Sequence, residues 1–179
     1  MKECTSRSKT FFAAANGFRG FRSNFDQIFK TEKLNKLFVI KGGPGTGKST
    51  LMKRLSKDFK HKADITNILC SSDPNSLDAV VLSKDGICVG IADGTAPHTI
   101  EPVYPGAFEE IINLGEGFNF EGLRQNQNEI IDLTRRKKTE YEKAYSTLFL
   151  AGGLFDYIFD IISKEEIYSV AESIVKDEF

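Results

Sequence analysis

The sequence predicts an α/β fold: a mostly parallel sheet flanked by helices, with a helical extension at its C-terminal end. Three observations carry this expectation. KLFVIKG, residues 36 to 42, is a short β-rich apolar run closed by glycines, the mark of a strand buried on both faces. STLMKRLSKDFK follows, with Leu51, Met52, Leu55 and Phe59 at helical spacing, which predicts an amphipathic helix packed on the sheet. Further strand-like runs fill the first two thirds of the chain, whereas the last third is charged and helix-favouring.

Taken in order, TFFAA from residue 10 predicts a first strand, and Asn16-Gly17 predicts a turn. A helix opened by Ser23, with Asp26 three residues on, would carry Phe25, Ile28 and Phe29 on one face. ITNILC (65 to 70) is the strand after the amphipathic helix. AVVL and ICVGIAD are two more, and the four-residue spacer SKDG favours a hairpin between them. A proline-containing loop (Pro97, Pro102, Pro105) leads to a helix expected over AFEEIINL. A long helix is expected over 121 to 150, broken at Gly152-Gly153, and Ser163 with Glu166 signals a last one carrying Ile167, Val170, Ala171 and Ile174. The expectation is one domain over 1–179, with a core at about 10–117 and an extension at about 118–179.

Composition narrows the function classes. Acids and bases number 25 and 24, so no global field draws the chain to nucleic acid or to an anionic membrane. Cys4, Cys70 and Cys88 are odd in number, and two lie in apolar runs, which suits free thiols in a reducing compartment and a cytoplasmic location. No Cys/His spacing suggests zinc. The N-terminus has no sustained apolar segment, and no window reaches the uncharged length of a membrane span. The run Arg135-Arg136-Lys137-Lys138 reads as a solvated helix face, because acids flank it and no aromatic residues interleave; nucleic acid is not the expected partner.

GGPGTGKS, residues 42 to 49, matches G-x-x-x-x-G-K-[ST] in full, a pattern that chance would place in roughly one chain in a hundred of this length. It lies between the predicted strand and the predicted helix, the context that a phosphate-binding P-loop needs, and so predicts a P-loop NTPase fold. Gly42, Gly45 and Gly47 let the backbone curl into a nest of N–H groups; Gly43, Pro44, Thr46 and Thr50 complete the nucleotide-binding stretch. Lys48 would bring its charge to the β and γ phosphates, and Ser49 its hydroxyl to Mg²⁺. Asp93, ending ICVGIAD, is the expected second magnesium ligand and an acid of the catalytic set with Lys48. In many ATP-driven machines a glutamate follows that acid and activates water, but here Gly94 follows. Asp73, in CSSDP at the same edge, is the expected substitute, with Thr95 and His98 as weaker candidates. Arg19, Arg22, Arg124, Arg135 and Arg136 leave an arginine finger unassigned.

Two resemblances follow from these residues. GGPGTGKST with DGTAP resembles adenylate kinase and its relatives, whose second strand ends in Asp-Gly, an aromatic residue, Pro and Arg. The chain departs from them at His98, where the family has the arginine, in the short interval from Lys48 to Asp93, and in having no arginine-rich lid. A longer resemblance runs through FFAAANGFRGFRSNFDQIF, LFVIKGGPGTGKSTLMKRL, CSSDPNSLDAVVL, IADGTAPHTIEPVYPGAFEEIINLGE and the long helix. Together they are similar to an uncharacterised family of P-loop ATPases or ATP-binding proteins of Firmicutes, especially clostridia, whose full members carry two such halves in tandem. The chain resembles the first half. That resemblance implies ATP binding through Gly42 to Thr50, no established substrate, and a second P-loop half or a second copy as partner. The expected activity is a slow or partner-stimulated Mg²⁺-dependent ATPase; the alternatives are phosphotransfer to a small acceptor and a nucleotide-dependent switch without hydrolysis.

Overall fold

The computed structural model describes residues 6–95, 100–163 and 173. Six strands form one sheet: β1 (Ser8–Phe12), β4 (Lys36–Lys41), β5 (Asp64–Leu69), β6 (Leu77–Lys84), β7 (Ile87–Asp93) and β8 (Glu109–Asn113). Their order across the sheet is β1-β5-β6-β7-β4-β8. β1 pairs parallel with β5, and β4 pairs parallel with both β7 and β8; β6 alone runs antiparallel, against β5 and β7. The parallel strands therefore finish on one edge, and β6 starts there. A separate two-stranded ribbon joins β2 (Ala14–Gly17) to β3 (Gly20–Ser23).

Burial explains why KLFVIK became a central strand. Leu37 is 2% exposed, and Val39 and Ile40 not at all, so successive side chains are covered on both faces. The hairpin expected around SKDG forms, with Asp85 at φ 50° and Gly86 at φ 81°, the left-handed pair that a tight two-residue turn requires. Helix α2 (Lys48–Phe59) lies on the sheet and buries Met52 among Ile40, Ile65, Leu77, Val80 and Ile91. Met52 anchors the helix that begins at the glycine loop. Met52→Ala should cost about 2–5 kcal/mol of unfolding free energy in urea denaturation, since a fully buried side chain leaves a cavity in a close-packed core.

Several expectations change. The helix expected over AFEEIINL is β8, the strand beyond β4 in register Leu37↔Glu109 through Lys41↔Asn113. The apolar pair Ile111-Ile112 is β-branched, and the carboxylate of buried Glu109 accepts the Val103 and Tyr104 N–H groups at 3.2 and 2.8 Å, fixing the chain as it enters the strand. Ser23 does not open a helix: it ends β3, and the one-turn helix α1 (Phe25–Ile28) starts after Asn24 without a side-chain cap. The turn expected at Asn16-Gly17 lies two residues later, at Phe18-Arg19. The long helical stretch divides into α3 (Phe120–Gln125), capped by the Asn119 side chain, and α4 (Gln127–Ser163), which runs through Gly152-Gly153 without a break. Gly152 is kept for packing, because a Cβ there would stand 2.2 Å from the Phe18 ring. The helix expected from Ser163 and Glu166 onward falls outside the described residues.

The chain divides into two compact units, one formed by Met1–Asn16 with Arg22–Asn126 and the other by Gly17–Phe21 with Gln127–Phe179. The first holds the sheet and the glycine loop. The second is built on α4, whose segment Gln127–Ile162 is long and apolar enough to cross a bilayer by length and composition, which the charge-based reading of the sequence passed over.

Candidate functional site

The glycine loop connects β4 to α2 at the edge where the parallel strands end. Gly45 and Gly47 adopt φ of 81° and 86°, which a side chain would strain, and a Cβ on Gly42 would meet the Thr46 hydroxyl at 2.8 Å. Gly47 is the N-cap of α2, and no side-chain hydrogen bond caps it, so the N–H groups of the first turn remain donors for a bound anion. Thr46 closes the loop on itself by donating its hydroxyl to the Gly43 carbonyl at 2.9 Å. Pro44, Gly45 and Thr50 are exposed around it.

Lys48 lies folded across this loop. Its ammonium donates to the carbonyls of Gly42 at 2.5 Å and Gly43 at 3.0 Å, and stands 3.7 Å from Asp93 Oδ2. Both side chains are largely covered, at 11% and 18% exposure, so solvent screens this pair less than a surface pair. The register Ile40↔Asp93 brings the acid from β7 to the root of the loop. Asp93 Oδ1 accepts the Thr95 N–H at 2.8 Å, and the Thr95 hydroxyl donates to the Gly42 carbonyl at 3.1 Å. Thr95 thus ties the end of β7 to the loop. Ser49 takes a different partner: its hydroxyl oxygen accepts the Leu77 N–H at 2.9 Å, linking α2 to the start of β6 and leaving one lone pair and the proton for other partners.

Asp73 lies in a turn. Its carboxylate accepts the Asn75 N–H at 3.0 Å and the Ser76 hydroxyl at 2.6 Å, and it is exposed. The Ser76 hydroxyl first, then the Asn75 N–H, hold its carboxyl below the usual range, which makes it a weak base for taking a proton from water. Of the weaker candidates, Thr95 reaches the loop, and His98 lies outside the described residues. Arg19 pairs with Asp156 at 3.8 Å in the α4 unit, and Arg136 pairs with Asp132 at 2.8 Å. Lys138 likewise stands 3.8 Å from Glu142, so the basic run sits on a face that carries its own counter-charges.

Two residues at this edge escaped the sequence reading. Lys41 donates to the carbonyls of Gly94 at 2.8 Å and Ile100 at 3.2 Å and stands 3.5 Å from Glu101, pinning the segment after β7 to β4. Asp78 is buried, at 5% exposure, and immediately precedes Ala79, whose partner Ala92 is the residue before Asp93. Burial, and then the charge and hydrogen bond of Asp78, push the Cys70 thiol up against the opposing backbone bonds. Only the pairing of β6 with β7 brings it to the end of the strand that carries Asp93.

Gly94 has a structural cause. A Cβ there would fall 2.4 Å from Val39 Cγ1 and 3.2 Å from Lys41 Cε. Its N–H donates to the Ile40 carbonyl at 3.0 Å and its carbonyl accepts from Lys41, so the backbone is held on both sides. The position after Asp93 has no room for a side chain, glutamate included.

The chain was compared with protein-family models, curated proteins and solved structures, and no match was found in any of the three.

Proposed function

We propose that the chain is an ATP-binding protein of the P-loop NTPase fold, and that it acts as a slow or partner-stimulated Mg²⁺-dependent ATPase. The observation that carries this reading is the loop Gly42–Gly47, curled between β4 and α2 with the Lys48 ammonium across it and Asp93 at its root. On binding, phosphate oxygens would replace the Gly42 and Gly43 carbonyls as partners of Lys48, a charge-assisted exchange that favours the anion. The donor set fits magnesium: Ser49 keeps a free lone pair and Asp93 supplies a hard carboxylate oxygen, and two protein oxygens are what this ion commonly takes when phosphates and water fill the rest. The ion would neutralise charge developing on the transferred phosphoryl group.

Gly94 favours a second reading, in which nucleotide is bound and only shifts conformation, because the residue that commonly activates water is sterically barred. Calorimetry with Mg-ATP, followed by phosphate release with and without a panel of small acceptors, separates the readings. Binding with slow release supports the ATPase. Binding without release leaves the switch, and release of ADP that depends on an acceptor identifies phosphotransfer. Absence of binding sinks all three.

A further inference from the structure

The face of the sheet away from α2 carries a cavity. Along β4, Ile40 points to the α2 side, and Leu37, an odd number of residues before it, points to the other. On that side a cavity of about 450 Å³ is lined by α1 and by the segment from Ile100 to Glu109. Its floor belongs to the core: Phe25, Phe29, Leu37, Phe108 and Glu109 line it, and none is more than 9% exposed. The volume lies within the roughly 300–1,000 Å³ of small-molecule sites.

The walls are held in place. The Phe25 and Phe29 rings stack with centroids 5.5 Å apart and planes 6° apart, and the Leu37 N–H donates to the Phe108 carbonyl at 3.1 Å. One oxygen of Glu109 accepts the Val103 N–H and the other the Tyr104 N–H, at 3.2 and 2.8 Å. Each oxygen keeps a lone pair for a further donor.

Charge selects the class of ligand. Four acids, Asp26, Glu32, Glu101 and Glu109, line the cavity against one base, Lys30. Lys41 answers Glu101 from outside it at 3.5 Å, which still leaves an excess of negative charge. Aromatic faces attract cations as well, and Phe25, Phe29, Tyr104 and Phe108 supply four rings. An anion would be repelled by the acids, and a neutral apolar molecule would gain nothing from them. Apolar rings below acids suit a molecule with an apolar body and a positive head.

We propose that this cavity binds a small organic ammonium compound, with its apolar body on the phenylalanine floor and its charged nitrogen donating to Glu109 among the rim acids. The cavity shares no residue with the glycine loop, so the proposal does not depend on nucleotide binding.

Amide-detected NMR titration of the full chain with phenethylammonium tests it, with 2-phenylethanol and phenylacetate as neutral and anionic counterparts. The amide signals of Val103 and Tyr104, whose N–H groups bond to Glu109, should shift and saturate with a Kd on the order of 1 mM. The alcohol and the carboxylate should bind at least about ten times more weakly. Glu109→Gln keeps the size of the side chain and should remove most of that preference. Because Glu109 also holds the wall, Asp26→Asn with Glu32→Gln provides a second test: both residues are exposed, and the pair should weaken phenethylammonium severalfold while sparing the alcohol. Asp58→Asn, on α2 across the sheet, should change nothing. The absence of saturable shifts at these amides, equal binding of the three probes, or a full ammonium preference retained by either Glu109→Gln or the rim pair would each overturn the proposal.

Discussion

Lys48→Ala is expected to weaken Mg-ATP binding by more than about a hundredfold in calorimetry. Each charge-assisted hydrogen bond to a phosphate oxygen contributes roughly 1.5–3 kcal/mol, and about 1.4 kcal/mol is a factor of ten, so the loss of two such bonds exceeds that threshold. The variant also loses its bonds to the Gly42 and Gly43 carbonyls and its pairing with Asp93, so the loop itself changes in the nucleotide-free protein. Thermal unfolding without nucleotide therefore accompanies the titration. A variant that unfolds near the wild-type temperature yet gains no stabilisation from Mg-ATP assigns the loss to the phosphate site. Unchanged affinity in Lys48→Ala would remove the case for nucleotide at this loop. Asp93→Asn, by contrast, should spare ATP affinity without metal and reduce its enhancement by Mg²⁺, because it removes an anionic oxygen while keeping the bulk of the side chain.

The parts of the fold legible in the sequence were those in which local chemistry and tertiary environment agree. GGPGTGKS demands particular backbone angles, and β4, the loop and α2 appear where the residues place them. The SKDG hairpin is equally local: Asp85-Gly86 supplies the two positive φ values by itself. Where the environment decides, the reading failed. AFEEIINL has helical periodicity, but its neighbour β4 offers an open parallel edge, and β8 takes it. Gly152-Gly153 looks like a helix break until Phe18, distant in sequence, packs where a Cβ would be. In the site, Asp93 was visible because an apolar run delivers it to the edge. Asp78 was not, since only the antiparallel pairing of Ala79 with Ala92 brings its segment to the end of β7. Lys41 was missed for a similar reason: its partners Gly94, Ile100 and Glu101 lie more than fifty residues away in the chain.

Gly94→Ala should destabilise the protein by about 1–3 kcal/mol, the usual range for forcing an added group into a packed core. For a chain of this size that corresponds to a fall in Tm of very roughly 2–12 °C. The reason is directional: the new methyl would stand 2.4 Å from Val39 Cγ1, and Val39 is fully buried in β4 with a stiff, β-branched side chain that has nowhere to swing. A double-mutant cycle separates this clash from a general effect on the backbone. Val39→Ala alone removes buried methyl groups and is destabilising, yet in Gly94→Ala/Val39→Ala the inserted methyl fills part of the space left behind. The double variant should therefore be more stable than the sum of the single losses by on the order of 1 kcal/mol, a coupling typical of residues in contact. Strict additivity would show that Val39 is not the obstacle. The same geometry bears on catalysis. Gly94→Glu should fail to raise phosphate release, because its carboxylate can be accommodated only by displacing β4 or breaking the Lys41–Gly94 and Gly94–Ile40 hydrogen bonds that hold the segment beside Asp93. A Gly94→Glu protein that folds with wild-type stability and hydrolyses ATP faster would mean that the segment after β7 swings outward when nucleotide binds, and that the glycine is kept for a reason other than room.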